Sequence, residues 1–182
     1  TALAEYPEVP LSPAFANSEY AWTVLRQIYD SLININPYTH EDLPWAAIQW
    51  SIAPWTDPDT GKPGMKMTFK LNSTLYWHDG HPVDAFDLDF AWTYLKQNMV
   101  PRFWAGMQYF KYSQVIDVPI NKTVVAYMTE TSQSFLYELA GVVAMSGTGL
   151  LFPEHIWGCS HERGGRAQPS CPYVWKTGYK QE

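Results

Sequence analysis

Two clusters of histidine, cysteine and carboxylate side chains contain the residue types that carry metal or catalytic chemistry. The first, His78-Asp79-Gly80-His81, places two imidazoles and one carboxylate within a tetrapeptide. In a tight turn, side chains three positions apart point away from each other, and the sequence indicates no third, distant ligand. Asp-Gly is itself a strong turn signal, because glycine accepts a positive φ and aspartate bonds its own downstream backbone. We therefore interpret this tetrapeptide as a turn and expect no metal there.

The second cluster combines His155, Cys159, His161 and Cys171. These ligand types suit tetrahedral zinc, although their spacing does not match a compact zinc motif. A disulfide between Cys159 and Cys171 would suit an exported protein and would constrain this part of the chain. Free thiols are the third alternative. The sequence favours the disulfide and leaves the other two open, and we expect no bound metal or cofactor.

The sequence offers little support for an enzyme. Ser146 lies in Val-Ala-Met-Ser-Gly, which lacks the first glycine of a nucleophile elbow. Asp87 and Asp89 are two positions apart on a predicted helix, so their carboxylates diverge and cannot flank one bond of a substrate. We therefore expect no catalytic residues.

A strand, a turn and a helix in the middle of the chain must position the first cluster. Residues 65–71 alternate apolar and polar side chains, which predicts a half-buried strand. Asp84 stands where a helix N-cap belongs, and Asp87 follows three positions later as the acid of a capping box. The helix predicted over 84–98 has its apolar positions at helical spacing: Leu88, Ala91, Trp92 and Leu95.

A second stripe on the same helix consists of Phe86, Phe90 and Tyr94, each four positions after the last. Large aromatic side chains at helical spacing are more often buried than used as a ligand platform. We expect this stripe to belong to the core.

Further elements are predicted on both sides of the helix: a helix from about 17 to 32, a strand over 33–35, hairpins pairing 45–55 with 65–71 and 115–118 with 123–129, a helix ending at Ala140 and a helical turn after Pro153.

The composition of the 182-residue chain is that of a globular protein, with 46% hydrophobic and 16% charged residues. Its formal net charge of −6 argues against nucleic acid as a partner, because nucleic-acid binders need a basic face. No apolar run approaches the roughly 20 residues that a membrane-spanning helix requires. We expect a globular protein that neither spans a membrane nor binds nucleic acid.

Several segments, in the right order, carry a resemblance to a known family. They are Ile28 to Leu32, Thr68-Phe69-Lys70-Leu71, His78-Asp79-Gly80, Pro82 to Leu88, Phe135 to Ala140 and Pro153 to Trp157. These segments resemble signature regions of the extracellular solute-binding proteins of family 5. That family serves ATP-driven importers of oligopeptides, dipeptides, nickel complexes and some oligosaccharides. Ser31 and Phe86 depart from its pattern, which has a proline and an acid at these positions.

The resemblance implies a mixed α/β fold of the type II periplasmic-binding-protein kind, in which two lobes close on a solute. The matched region corresponds to part of the first lobe with its accessory subdomain, over residues 17–157. Residues 1–16, which contain three prolines, are expected to be an extended lead-in, and 158–182 a loop or terminal arm. Because family members are much longer, we expect this sequence to be a fragment.

Ligand contacts in such proteins come from the start of the first helix and from the loop after the central helix. In this sequence these places hold the candidate ligand-binding residues Asn17, Glu19, Trp22, Trp104 and Tyr109. Met145-Ser146 is a third and weaker possibility. For each aromatic residue, simple packing in the core is the alternative interpretation.

The function implied by the resemblance is that of the solute-binding component of an ABC-type importer for peptides. Its partners would be an oligopeptide or other small solute and a membrane permease, and it would be extracytoplasmic, either periplasmic or at the cell surface. An oligosaccharide-binding protein on the same scaffold is one alternative, because sugar faces stack on Trp and Tyr. A structural or zinc-binding extracellular module is the other.

We predict that Cys159 and Cys171 are paired if the protein is exported. The bond would close a loop of about 13 residues and contribute about 3 kcal/mol to stability in the chain-entropy description. Titration of denatured, unreduced protein should then find no free thiol. Two free thiols in protein isolated from its native compartment would contradict the pairing, and zinc analysis of the purified protein tests the metal alternative.

Overall fold

A computed structural model of the chain describes residues 19–97, 108–140 and 151–157. Within these ranges the helices and strands are α1 (Glu19–Leu25), β1 (Ile33–Ile35), β2 (Asp42–Pro44), β3 (Ala47–Thr56), β4 (Pro63–Leu71), α2 (Ala85–Gln97), β5 (Phe110–Val115), β6 (Thr123–Met128), α3 (Ser134–Leu139) and α4 (Glu154–Trp157). The combination of antiparallel strands with helices confirms the predicted mixed α/β class.

The strands β3, β4, β6 and β5 form an antiparallel sheet in that spatial order. A loop over 57–62 joins β3 to β4, and their register places Trp50 opposite Phe69. On its other side β4 pairs with β6, so that Phe69 also lies opposite Val124. Directly opposed residues of an antiparallel pair share one face of the sheet. One face is therefore lined by buried apolar side chains: Met65, Met67, Phe69, Leu71, Val124, Ala126 and Met128.

Helix α2 covers this apolar face with the side that its sequence spacing predicts. Leu88 and Trp92 are fully buried. The Trp92 ring contacts the rings of Phe69 and Phe110, at centroid distances of 5.9 and 6.2 Å. Aromatic contacts with tilted or edge geometry add to the stabilisation that comes from buried area. The sheet and α2 thus share one core with Trp92 in it.

The N-terminus of α2 has the capping box that the sequence predicts. The Asp84 carboxylate accepts a hydrogen bond from the Phe86 backbone N–H at 2.9 Å. In return, the Asp87 carboxylate accepts the backbone N–H of Asp84 at 3.0 Å. Two backbone donors that the first helical turn leaves unpaired are satisfied in this way. The predicted start of the helix is confirmed.

The second aromatic stripe of α2 also lies in the interior. Phe90 and Tyr94 are 5% and 6% exposed, and their ring centroids are 5.8 Å apart. Tyr94 makes an edge contact with Phe152, just before α4, at 6.4 Å. Phe86, at the N-terminal end of the stripe, is half-buried. The core interpretation is confirmed for Phe90 and Tyr94.

A small two-stranded sheet, formed by β1 and β2, is joined to the main sheet through the backbone. The Leu32 N–H donates to the carbonyl of Ala140 at 3.0 Å, at the end of α3. The carbonyl of Leu32 accepts the N–H of Ala47, the first residue of β3, at 2.9 Å. Residue 32 therefore connects α3, β1 and β3.

The predicted helix from about 17 to 32 is wrong in its second half. Helix α1 ends at Leu25, and the next residues make short turn bonds, such as Ile28 N–H to the carbonyl of Leu25 at 3.0 Å. Both backbone groups of Leu32 are used by Ala140 and Ala47, so this residue cannot continue a helix. Tertiary backbone pairing here outweighs the helical spacing of Trp22, Leu25, Tyr29 and Leu32.

The second hairpin also differs from its prediction, because its first strand is Phe110–Val115 rather than 115–118. The Asp117 side chain accepts the backbone N–H groups of Lys122 and Thr123, at 3.0 and 2.8 Å. These bonds turn the chain between 116 and 122, so those residues form the hairpin turn. The second strand, Thr123–Met128, agrees with the prediction.

The predicted domain boundaries stay predictions, since residues 1–16 and 158–182 lie outside the described ranges.

We predict that Gly64→Ala destabilises the protein. A Cβ at this position would lie 2.2 Å from the backbone oxygen of Met128 on β6 and 3.2 Å from the Trp55 ring. Glycine-to-alanine changes usually stabilise when the site has room, but here the strands must move apart, at a cost of about 1–3 kcal/mol. Chemical denaturation measures the loss. Lys66→Ala, on the same face of β4, is the matched control and should change stability by no more than about 0.5 kcal/mol. Equal effects of the two changes would contradict the close approach.

Candidate functional site

The candidate ligand-binding residues occupy two places, of which the structure describes part. Glu19 is the first residue of α1 and Trp22 lies in the same helix. The buried residues Ala21 and Leu25 fix one face of α1 against the protein. Asn17, Trp104 and the pair Met145-Ser146 lie outside the described residues, as do the side chains of Glu19 and Trp22. Their solute contacts therefore stay predictions.

Tyr109 is the candidate whose side chain is described. It lies in a short helical turn immediately before β5 and is half-buried. Its ring packs on Phe135 of α3, with centroids 5.6 Å apart, and its carbonyl accepts the Thr129 N–H at 2.8 Å. The backbone of Tyr109 is thus fixed by the end of β6, while part of the ring remains accessible. This environment is compatible with core packing, and a contact to solute stays a prediction.

A buried carboxylate is the main polar feature near the start of α2. The Asp87 side chain, on a residue only 1% exposed, accepts three hydrogen bonds. Its Oδ2 atom accepts the Trp77 indole N–H and the backbone N–H of Asp84, both at 3.0 Å. Its Oδ1 atom accepts the backbone N–H of Glu154, the first residue of α4, at 2.8 Å. One side chain therefore joins the turn before α2, the helix itself and α4.

Burial shifts the titration of this group. Desolvation raises the pKa of Asp87 to about 7, and the nearby charge of Asp84 acts in the same direction. The hydrogen bonds from Asp84, Glu154 and Trp77 oppose the rise, because N–H donors favour the ionised carboxylate. Asp87 is thus a buried acid that titrates close to neutrality.

The tetrapeptide His78-Asp79-Gly80-His81 forms the predicted turn. Gly80 has a φ of 86°, and its N–H donates to the carbonyl of Trp77 at 2.9 Å. The Asp79 carboxylate accepts the N–H of His81 at 3.0 Å, as expected for an Asp-Gly turn. The turn prediction is confirmed. Among the described residues, no group of three or more His, Cys, Asp or Glu side chains is arranged to hold a metal ion.

The turn also contacts α4 through His155. The His155 ring stacks on His81, with centroids 4.1 Å apart and planes at 13°. Its Nε2 atom lies 2.7 Å from Oδ2 of Asp79. This bond lowers the pKa of Asp79, and the N–H of His81 acts in the same direction. Of the four candidate zinc ligands, His155 alone is described, and Asp79 occupies one of its ring nitrogens.

These contacts were missed by reasoning from the sequence. Asp87 was predicted as a capping residue, but its bond to Glu154 joins residues 67 positions apart. Asp79 and His155 are 76 positions apart. One sequence feature could have pointed to these contacts: Asp79, Asp87, Glu154 and His155 all lie in segments that carry the family resemblance. No spacing rule within one segment identifies the pairs.

No family model matches the chain, and no curated protein matches its sequence. Solved structures match it in fold. The murein tripeptide binding protein MppA of Escherichia coli is 20% identical, with a TM-score of 0.61 over 84% of this chain and 30% of that chain. NikZ from Campylobacter jejuni, in complex with Ni(L-His), is 17% identical, with a TM-score of 0.61 over 85% of this chain and 27% of that chain. A mannohexaose-bound periplasmic oligopeptide-binding protein from Thermotoga maritima is 18% identical, with a TM-score of 0.55 over 72% of this chain and 21% of that chain.

These neighbours are solute-binding proteins of the family that the sequence motifs resemble. The chain has the fold of a portion of such proteins, in the type II periplasmic-binding-protein class. It spans between 21% and 30% of the length of these three neighbours. Such a share fits the expected fragment, while the assignment of the matched portion to the first lobe stays a prediction. Among the helices of the described ranges, none is long and apolar enough to cross a membrane.

We predict that Trp77→Phe destabilises the protein more than Trp45→Phe does. Both indoles donate to a carboxylate, Trp77 to the buried Asp87 at 3.0 Å and Trp45 to the exposed Asp30 at 2.8 Å. Removing a donor from a buried acceptor costs about 1–3 kcal/mol, whereas water replaces the donor at an exposed site. Urea denaturation of both variants measures the difference. Equal losses would show that the Asp87 bond contributes no more than a surface bond.

Proposed function

We propose that this chain is part of the solute-binding component of an ABC-type importer that takes up peptides. The observation that carries this proposal is the fold, which the chain shares over 84% of its length with the murein tripeptide binding protein of Escherichia coli. The motif segments from Ile28 to Trp157 support it, because their order resembles that of the family. The component would act outside the cytoplasm, deliver its solute to a membrane permease and bind no nucleic acid.

A binding role without catalysis is favoured by the carboxylates themselves. Asp87 is buried, and its oxygens are occupied by three N–H donors. Asp89, two positions later, accepts a hydrogen bond from the Ser113 hydroxyl on β5. The two acids thus bind different partners within the protein, so they are not arranged to act together on one bond of a substrate. The neighbours in fold are binding proteins as well.

The chemical class of the solute is the more specific part of the proposal. The neighbours are described with a murein tripeptide, with Ni(L-His) and with mannohexaose, so the fold accommodates chemically different solutes. An oligosaccharide is the second candidate, and the aromatic content of 16% favours it, since sugar faces stack on Trp and Tyr. A zinc-binding module is the third alternative, and zinc analysis of the purified protein tests it.

The proposed solute contacts are the start of α1, with Asn17, Glu19 and Trp22, and the segment before β5, with Trp104 and Tyr109. Ligand pockets enclose most of the surface of their ligand, and this chain corresponds to less than a third of each neighbour. The opposing lobe would supply the other side of the cleft. We therefore expect the 182-residue chain alone to bind peptides or sugars only weakly.

We predict that Trp22→Ala and Tyr109→Ala each weaken solute binding at least several-fold in a longer protein that contains the second lobe. A stacked aromatic contributes on the order of 1 kcal/mol beyond its buried area. Phe90→Ala, in the core, is the control and should instead lower stability by about 3–5 kcal/mol. Calorimetry against a peptide library and an oligosaccharide panel measures affinity, and thermal unfolding measures stability.

Two outcomes would contradict this proposal. If Trp22→Ala and Tyr109→Ala lower the melting temperature strongly and leave affinity unchanged, both residues belong to the core and the site assignment fails. Micromolar binding of a solute by the 182-residue chain alone would show that the site does not need a second lobe. Binding of oligosaccharides but of no peptide would replace the first solute class by the second.

A further inference from the structure

The sequence contains two Asn-X-Ser/Thr triplets, and the structure presents them differently. They are Asn72-Ser73-Thr74, directly after β4, and Asn121-Lys122-Thr123, which leads into β6. Such a triplet, with any residue except proline in the middle, is the acceptor sequence for N-linked glycans in exported proteins. Triplets this short also occur by chance, so local structure must decide which of them is a site.

The first triplet forms a turn at the surface. The Asn72 side-chain oxygen Oδ1 accepts two hydrogen bonds from Thr74, one from the backbone N–H at 3.0 Å and one from the hydroxyl at 2.9 Å. These bonds make an Asx turn, which an asparagine side chain closes. They hold both side chains on the same side of the turn, and neither uses Nδ2, the atom that a glycan is attached to. Ser73 and Thr74 are exposed and Asn72 is half-buried.

Backbone bonds on both sides fix this turn in place. The N–H of Asn72 donates to the carbonyl of Ala46 at 2.9 Å. After the turn, the carbonyl of Leu75 accepts the N–H of Val83 at 3.0 Å. Residues 73 and 74 lie at the surface between these two attachments. The folded chain therefore presents the asparagine and the hydroxyl of the triplet together, without local unfolding.

The second triplet is built into the β5–β6 turn through its side chains. The Thr123 hydroxyl donates to the Asp117 carboxylate at 2.9 Å, and the backbone N–H of Thr123 donates to the same carboxylate at 2.8 Å. The side-chain oxygen of Asn121 is buried. The hydroxyl and the amide of this triplet are thus held by the turn rather than presented together.

The backbone of the second triplet is also bound to the rest of the fold. The carbonyl of Asn121 accepts the N–H of Ala85, the first residue of α2, at 2.7 Å. The carbonyl of Lys122 accepts the N–H of Leu71 at 2.7 Å, and the Lys122 ammonium donates to the carbonyl of Val83. An enzyme reaches Asn121 only if the turn opens and separates from α2 and β4.

We propose that Asn72, and not Asn121, is an N-glycosylation site of the folded protein. The step joins Nδ2 of Asn72 to the anomeric carbon of an oligosaccharide that a lipid carries through a phosphate ester. The new C–N bond replaces the C–O bond to the phosphate, the lipid phosphate leaves with the electron pair, and a base of the transferring enzyme takes one amide proton. The proposal rests on the extracytoplasmic location within the proposed function and is independent of the solute.

A glycan at Asn72 would be remote from the proposed solute contact at Tyr109. The Tyr109 carbonyl accepts the N–H of Thr129, at the end of β6 that pairs with Met65. From Met65 to the end of β4 the strand advances about 20 Å. Asn72 follows that far end of β4. A bulky, hydrophilic glycan there leaves the proposed contact accessible.

Enzymatic transfer to folded and unfolded acceptors tests the difference between the triplets. An oligosaccharyltransferase that recognises Asn-X-Ser/Thr alone is supplied with lipid-linked oligosaccharide and with the native 182-residue chain, or with synthetic peptides covering 68–78 and 117–127. Both peptides should be modified, because each carries a complete acceptor sequence. In the folded chain, Asn72 should be modified at least tenfold faster than Asn121. Peptide N-glycosidase converts a modified asparagine to aspartate, and mass spectrometry locates the change.

Variants of the folded chain separate sequence from structure. Thr74→Ala should abolish modification of Asn72, whereas Ser73→Ala, at the middle position, is the matched control and should preserve it. Asp117→Ala removes the acceptor of both Thr123 bonds. It should therefore raise the rate at Asn121 and leave the rate at Asn72 unchanged.

Three results would overturn the proposal. One is modification of the 68–78 peptide but not of Asn72 in the folded chain. Another is an equal rate at Asn72 and Asn121 in the folded chain. The third is an unmodified Asn72 in protein isolated from its native compartment. A glycosylated Asn72 in a longer protein that binds no solute would support the site and contradict only the proposed transport function, so the two failures are distinguishable.

Discussion

The structure depends on one constraint, the satisfaction of a carboxylate that is buried at the start of its main helix. Asp87 is only 1% exposed, so its oxygens must be paired within the protein. The three donors come from the turn before α2, from the N-cap and from α4. Any arrangement that separates these segments would leave an unpaired carboxylate in the interior. The polar interaction thereby specifies how segments meet, while the apolar core supplies most of the driving force.

The core itself follows from the pairing of one helix with one face of a sheet. Alternation along β4 places Met67 and Phe69 on the face that α2 covers, and Trp92 contacts Phe69 from the helix. On the opposite face, Trp55 packs on Tyr127, and Lys111 lies over the Trp55 ring while pairing with Asp57 and Asp59. The aromatic richness of the sequence is therefore divided between the buried face and the outer face of the same sheet.

The parts of this fold that the sequence predicts are those with local causes. The capping box of Asp84 and Asp87, the Asp-Gly turn and the alternation of β4 each depend on neighbouring residues, and each is confirmed. The end of α1 was not predictable, because Leu32 pairs with backbone groups of Ala140 and Ala47 that lie far along the chain. For the candidate site, the family resemblance placed Tyr109 in the loop after the central helix, whereas its packing on Phe135 required knowledge of how α3 folds back onto the start of β5.

The strand order β3-β4-β6-β5 has a consequence for how the protein assembles. Each of the two hairpins is made by residues close in sequence, so either can form early without help from the other. The pairing between β4 and β6 is different, since Phe69 and Val124 are opposed although a long connection that contains α2 separates them in sequence. Lengthening such a connection adds little to the free energy of closing it, yet pairings between distant residues slow folding strongly. The pairing of β4 with β6 is thus the contact that brings the two halves of the chain together, and we expect it to form after either hairpin.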